Sequence, residues 1–154
     1  MIATLLALLI GVVAGLRTMT APAAVSWAAH LGWLHLDGSW LAFLGYAWTP
    51  WILTLLALIE LVTDQLPSTP SRTVPVQFGA RIVTGAVSGG AIGASVGSLI
   101  LGAVAGIVGA VIGTFGGRAV RAKLAAAFGK DPPAAFIEDA VAIAAAFVIV
   151  MVIR

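Results

Sequence analysis

The sequence predicts an all-α fold, a polytopic transmembrane helix bundle forming one integral membrane domain over residues 1–154. Three observations carry that expectation. Hydrophobic residues make up 61% of the chain and charged residues only 9%, too few to coat a water-facing surface, where about 25% is usual. Apolar runs separated by proline and polar clusters recur at lengths suited to a hydrocarbon layer of roughly 30 Å. Aromatic and basic residues fall in opposite connections. Eight Lys or Arg against six Asp or Glu is too small an excess to argue for nucleic acid, and the absence of cysteine excludes disulfide and thiolate chemistry.

Residues 2–29 form the first apolar run, interrupted by Gly15, Arg17 and Pro22. Its start has no basic segment before the apolar core, so it reads as a first span rather than a signal peptide. It exceeds the hydrocarbon thickness and is therefore expected to be tilted, or broken near Gly15–Pro22. Residues 30–49 read as a loop with a short apolar piece that Asp37 or Ser39 caps. Thr49-Pro50 starts a second helix running to about Leu66, where Pro67, Pro70 and Pro75 end it. A third helix is expected over 78–97, a fourth from Ser98 to Gly117, and a last over 134–153 after Pro132-Pro133. The count is about five spans.

All five tryptophans and Tyr46 lie between residues 27 and 51, an aromatic belt whose loop has no Lys or Arg. Arg72, Arg118, Arg121, Lys123 and Lys130 lie in the other connections, which the positive-inside rule places in the cytoplasm. On that reading the N-terminus is cytoplasmic and Arg154 external. Gly85, Gly89, Gly93 and Gly97, then Gly102 and Gly106, then Gly109, Gly113 and Gly117 recur every four residues. Such faces let helix backbones approach closely in lipid, which predicts a glycine-zipper hairpin and makes a homodimer one candidate assembly. The segment 118–130 sets Val120, Leu124 and Phe128 at helical spacing among basic residues. It reads as a short interfacial amphipathic helix, with Arg118, Arg121 and Lys123 on lipid headgroups.

Ionisable residues within spans cost about 2.5–3.5 kcal/mol each near a helix centre, so Arg17, Glu60, Arg81 and Glu138 are singled out, with Asp64 and Asp139 nearer helix ends. They form a pattern. Gly-x-Arg-x-x-Thr occurs at residues 15–20 and 79–84, and Ala-x-Ile-Glu at 57–60 and 135–138. The repetition suggests an internal duplication of 1–75 and 76–154, an inverted repeat of the transporter kind. Depth counted from the interfaces pairs Arg17 with Glu60 and Arg81 with Glu138. Glu60 and Asp64, four residues apart, share one helix face. The histidines, His30 and His35, have a spacing that suits no helical metal pair, and no nucleophile sits beside a base. The expectation is no enzyme, no catalytic residues, no metal and no cofactor.

The whole chain resembles the bacterial membrane-protein family catalogued as domain of unknown function 4126. The resemblance rests on residues 15–29 (GLRTMTAPAAVSWAA), 60–73 (ELVTDQLPSTPSRT), 79–85 (GARIVTG) with its glycine ladder, 113–121 (GTFGGRAVR) and 138–143 (EDAVAI). Gln65 departs from it, standing where a lysine is expected after the aspartate. The resemblance implies a multi-pass protein of the bacterial inner (plasma) membrane and supplies no activity.

Two functions from different classes fit these residues. One is a transporter or channel for a small polar or anionic solute, with Arg17, Thr18, Thr20, Arg81 and Thr84 binding it and Glu60, Asp64 and Glu138 coupling protons or closing buried ion pairs. The other is a structural or lipid-associated module with glycine-packed helices, charges locked in bridges and a basic helix docking membrane-lipid headgroups.

Overall fold

A computed structural model of the chain describes residues 1–63 and 75–154, the side chain of Asp131 excepted. All regular structure among them is helical: α1 (Ile2–Leu16), α2 (Thr20–His30), a short 3-10 helix (Trp40–Gly45), α3 (Thr49–Thr63), α4 (Pro75–Ala94), α5 (Leu99–Phe128) and α6 (Asp131–Ile153). Two helices, Leu99–Phe128 and Pro132–Ile153, are long and apolar enough to cross a membrane, while α1 and α3 are apolar but shorter. The bundle turns apolar side chains outward: Ile100, Phe115, Phe136 and Phe147 on the two long helices are exposed, as are Ile52, Leu55 and Ile59 on α3.

The α5 helix is the axis, and glycine decides what touches it. A Cβ added to Gly85 of α4 would lie 2.7 Å from the carbonyl oxygen of Gly106, and one on Gly102 would lie 2.7 Å from Gly93 Cα. The next turns of α5 do the same toward α1, where a Cβ on Gly109 would lie 2.8 Å from the Val12 nitrogen. No real Cβ tolerates such distances, so these backbones touch only because the side chains are missing. The glycine faces are thus used inside the chain, and an assembly of two chains would need another surface.

These contacts also fix the direction of each helix. Gly85 meets Gly106 while Gly93 meets Ser98, so α4 and α5 are antiparallel. Gly11 meets Gly106 while Gly15 meets Ala110, so α1 runs parallel to α5 and starts at the end of the bundle where α5 starts. After Leu16 the chain turns over Arg17–Met19 and comes back. Thr18 and Met19 lie beside Glu60 near the end of α3, whereas Trp27 packs edge-on against Trp51 near its start. Beyond α2, Trp33 lies under the Arg154 guanidinium, and Leu41 approaches Gly90. Met1, the aromatic segment 30–49, the α4–α5 turn and Arg154 therefore share one end.

The first apolar run is accordingly a helical hairpin. This corrects the expectation that it traverses the bundle once and puts the N-terminus opposite the aromatic loop. Pro22 explains the difference. It is the third residue of α2, where a backbone N–H has no acceptor within the helix, so the proline starts a new helix rather than bending an old one.

A second correction concerns the basic segment. It is not a separate interfacial helix: α5 continues unbroken from Leu99 through Phe128, about 45 Å. Gly116 and Gly117 do not end it, because neither leaves the ordinary negative-φ range; the stop is Gly129, left-handed at φ 75°. Pro132 and Pro133 then sit in the first turn of α6, where proline is tolerated.

The contacts predict a sharp contrast among glycines. Gly102→Leu or Gly106→Leu should destabilise the protein in detergent by about 2–3 kcal/mol, since the filling group meets backbone. Gly79→Ala, which meets nothing within 4 Å, and Leu101→Ala, at an outward-facing position, should leave the melting temperature nearly unchanged. Equal tolerance of all four would show that the close approaches do not hold the helices together.

Candidate functional site

A turn inside an apolar bundle exposes backbone groups that no helix satisfies. At the α1–α2 turn Arg17 is extended (φ −140°, ψ 117°), which stops α1 and aims the next two amides away from it. Both find the same carboxylate. The Thr18 N–H donates to Glu60 Oε1 at 2.6 Å and the Met19 N–H to Glu60 Oε2 at 2.7 Å. Neither Met19 nor Thr20 caps α2 with its own side chain, so a residue of α3, 41 positions away from Met19, does so instead. The carboxylate also faces the positive end of the α2 dipole, a second favourable term.

The carbonyl side of the turn is held by cations. Arg81 of α4, 3% exposed, donates through Nη1 to the Gly15 carbonyl at 2.6 Å, satisfying one of the acceptors that the end of α1 leaves open. Arg17 is fully buried, and both Nε and Nη2 donate to Asp139 Oδ1 of α6. Farther along α5 and α6, Arg121 Nη1 meets Glu138 Oε2 at 3.4 Å. Among the described residues the tip thus gathers the cations Arg17 and Arg81 and the anions Glu60 and Asp139, from four separate stretches of sequence. Each of those charges would be costly alone in an apolar interior, and grouping them removes most of that cost.

The sequence-derived residues are distributed unevenly around this centre. Arg17, Thr18, Thr20 and Arg81 are buried at or beside the turn, with Glu60 half-buried beneath it. Thr84 turns its hydroxyl back to the Arg81 carbonyl at 3.2 Å. Arg118 and Lys123 are exposed on the far end of α5, and Asp64 lies outside the described residues. The anticipated partners are corrected: among the described residues Arg17 bridges Asp139 rather than Glu60, and Glu138 bridges Arg121 rather than Arg81. Counting depth brought Arg17 and Glu60 to the same level. It missed that the hairpin presents free amides there, and a carboxylate offered two backbone donors takes them.

Two of these contacts could not be assigned from the sequence. Asp139 adjoins Glu138, and only the rotation of α6 decides which carboxylate faces Arg17. The amide of Met19 carries no pattern at all. Thr114 is a further polar group in this region. It is fully buried on α5, its hydroxyl has no hydrogen-bond partner among the described residues, and its backbone nitrogen lies 2.5 Å from where a Gly15 Cβ would stand.

Breaking either anion should therefore be expensive. Asp139→Asn and Glu60→Gln are each expected to lower stability by about 3–5 kcal/mol, the cost of stranding a buried partner. In Glu60→Gln the amide nitrogen would face a backbone N–H, donor against donor. The double substitution Arg17→Met with Asp139→Leu should cost less than the sum of the two single substitutions, because the two side chains contact each other directly. Simple additivity in urea or thermal unfolding would disprove the coupling.

No curated protein and no solved structure matches this chain. A family model, domain of unknown function DUF4126, matches residues 4–152, almost the whole length, and the chain belongs to that family.

Proposed function

We propose that this protein is a small multi-pass membrane protein that moves a small anionic or polar solute, with the α1–α2 hairpin as its gate. One observation carries the reading: the amides that open α2 are an anion-binding position, and the protein fills it with its own carboxylate, Glu60. An irregular turn at membrane depth is tolerated only where protein or a hydrated cavity satisfies its backbone. Broken helices whose N-termini face an anionic group near mid-membrane are the recurrent way carriers build a solute site.

Depth supports the reading. From Leu99 to Thr114, the level of the turn, α5 rises about 22 Å, which puts the tip within a hydrocarbon layer of about 30 Å and short of its far side. The hairpin is then re-entrant, and α3 to α6 provide the crossings, antiparallel glycine-packed α4 and α5 forming the zipper. The basic end, with Arg118, Arg121, Lys123 and Lys130, faces the cytoplasm of a bacterial cell, and both termini lie outside. The solute anion competes with Glu60 for the Thr18 and Met19 amides, Arg17 and Arg81 supply charge, and Thr20 and Thr18 supply hydroxyls. Proton binding to Glu60 weakens its hold on the amides and frees the position, which couples protons to movement; Asp64 and Glu138 are further candidates for that role. The repeated Arg and Glu motifs, of which Arg17, Glu60 and Arg81 contact the turn directly, are consistent with an internal duplication.

The second reading, a structural or lipid-associated module with no transport, is favoured by the full burial of Arg17 and its bridge to Asp139. Flux separates the two. Reconstituted vesicles should pass at least one of a panel of small carboxylates and inorganic anions faster than empty vesicles. Arg17→Gln should abolish that flux, and Glu60→Gln should remove its dependence on a proton gradient. No flux above empty vesicles across the panel leaves the structural reading.

Topology is tested separately. Single cysteines at Ile2 and Ser39 should be labelled from the same side of the membrane and one at Lys130 from the other. Labelling of Ile2 together with Lys130 would contradict the re-entrant hairpin.

A further inference from the structure

We propose that the solute taken at the α1–α2 turn is a short-chain monocarboxylate, which replaces the Glu60 carboxylate on the Thr18 and Met19 amides; this rests on the transport reading above. The group seated there already shows the chemistry. The Thr18 N–H serves one oxygen of Glu60 at 2.6 Å and the Met19 N–H the other at 2.7 Å, so two neighbouring donors meet the two oxygens of one planar group. That group hangs on two methylenes, and the fragment held at the turn is in chemical terms a propionate. A halide offers one acceptor centre in place of two. A phosphate or sulfate dianion brings a second charge, which is costly where solvent is excluded. A carboxylate has room for about four hydrogen bonds, and the amides use two. Thr18 and Thr20 flank them, 7% and 8% exposed, and neither hydroxyl hydrogen-bonds a described residue. A free carboxylate, not tied to α3, can add those donors.

The present occupant is also placed to leave. Arg17, Thr18 and Thr20 are buried in the hairpin, whereas Pro50 is the single buried residue of α3, the helix that carries Glu60. Among the described elements α3 packs chiefly on α2 and the 3-10 helix, so it can shift without parting the glycine contacts of α1, α4 and α5. Exchange of one carboxylate for another leaves no amide stranded and adds no charge at the turn. With the displaced Glu60 protonated, the bound carboxylate and that proton together amount to one neutral weak acid. The pair crosses the apolar layer with no net charge moved, which avoids the cost of carrying an ion through it.

The test uses the full-length protein in mild detergent with Glu60→Ala, which vacates the two amides. Sodium propionate should raise its melting temperature in a saturable way and recover most of the loss. Sodium chloride and sodium phosphate at equal ionic strength should not. The native protein, whose own carboxylate competes at high effective concentration, should respond only at higher propionate concentration. Gly106→Leu, destabilised at the helix contacts away from the turn, should not respond, which separates binding at the amides from a general salt effect. Glu60→Gln supplies the same comparison if Glu60→Ala does not fold, since it keeps the bulk but sets an amide nitrogen against one N–H. An equal rise with chloride or phosphate, or no rise with propionate in either variant, would overturn the carboxylate assignment. Vesicle flux judges the transport reading separately. Rescue by propionate without flux removes transport and leaves a carboxylate site, whereas flux of chloride or phosphate without rescue leaves transport and removes the carboxylate.

Discussion

Backbone amides released inside an apolar bundle need acceptors there, and the α1–α2 turn obtains them from Glu60, a residue that meets the turn only once the chain is folded. Everything near the turn follows from that requirement. The carboxylate brings α3 against α2. The carbonyl left by α1 brings in Arg81 from α4. The extended Arg17 that makes the turn has a charge of its own, and Asp139 of α6 meets it. Three helices, α3, α4 and α6, are thereby tied to the end of α1 and the turn that follows it. In water such ties would be worth little, because exposed ion pairs are screened; where solvent is excluded, each is expensive to break.

The glycine contacts set where that turn can lie. Gly15, two residues before Arg17, packs so closely on α5 that a Cβ there would sit 2.5 Å from the Ala110 carbonyl oxygen. Gly85 makes the matching approach from α4 at 2.7 Å from Gly106. With α1 and α4 both drawn onto α5, the ends that carry Arg17 and Arg81 converge without long side chains having to reach. Glycine weakens each helix taken alone, by about 1 kcal/mol per residue against alanine. In this bundle the loss is offset by packing available at no other residue type, and the same contacts that hold the helices together locate the charges.

The bracing and gating views of the turn differ in what happens when Glu60 lets go. A permanent brace has no alternative state of similar energy. A gate has one, in which a solute anion or a proton replaces one of the contacts. Among the described residues the turn is met by charges of both signs, so exchanging one anion there for another disturbs it less than removing one. An apolar groove along α1 adjoins the turn: Leu16, immediately before Arg17, and Glu138, beside Asp139, both line it.

Much of this was legible in the residues themselves. The shortage of charge and the apolar runs gave the all-helical class, the four-residue glycine spacing marked the faces that touch, and Gly15, Arg17 and Pro22 marked the break. Arg17, Arg81 and Glu60 were identifiable because a charge within an apolar helix is costly wherever it ends up. Local sequence could not decide the sense of the break, because a kink and a reversal use the same glycine and proline; the reversal is set by the parallel packing of α1 on α5. Nor could it assign partners. The choice between Glu138 and Asp139 depends on the rotation of α6, and the capture of Glu60 depends on amides that exist as free donors only after the hairpin forms. Composition and periodicity determine which groups must be satisfied, whereas which group satisfies which is a property of distances between segments far apart in the chain, and those are fixed only by tertiary packing.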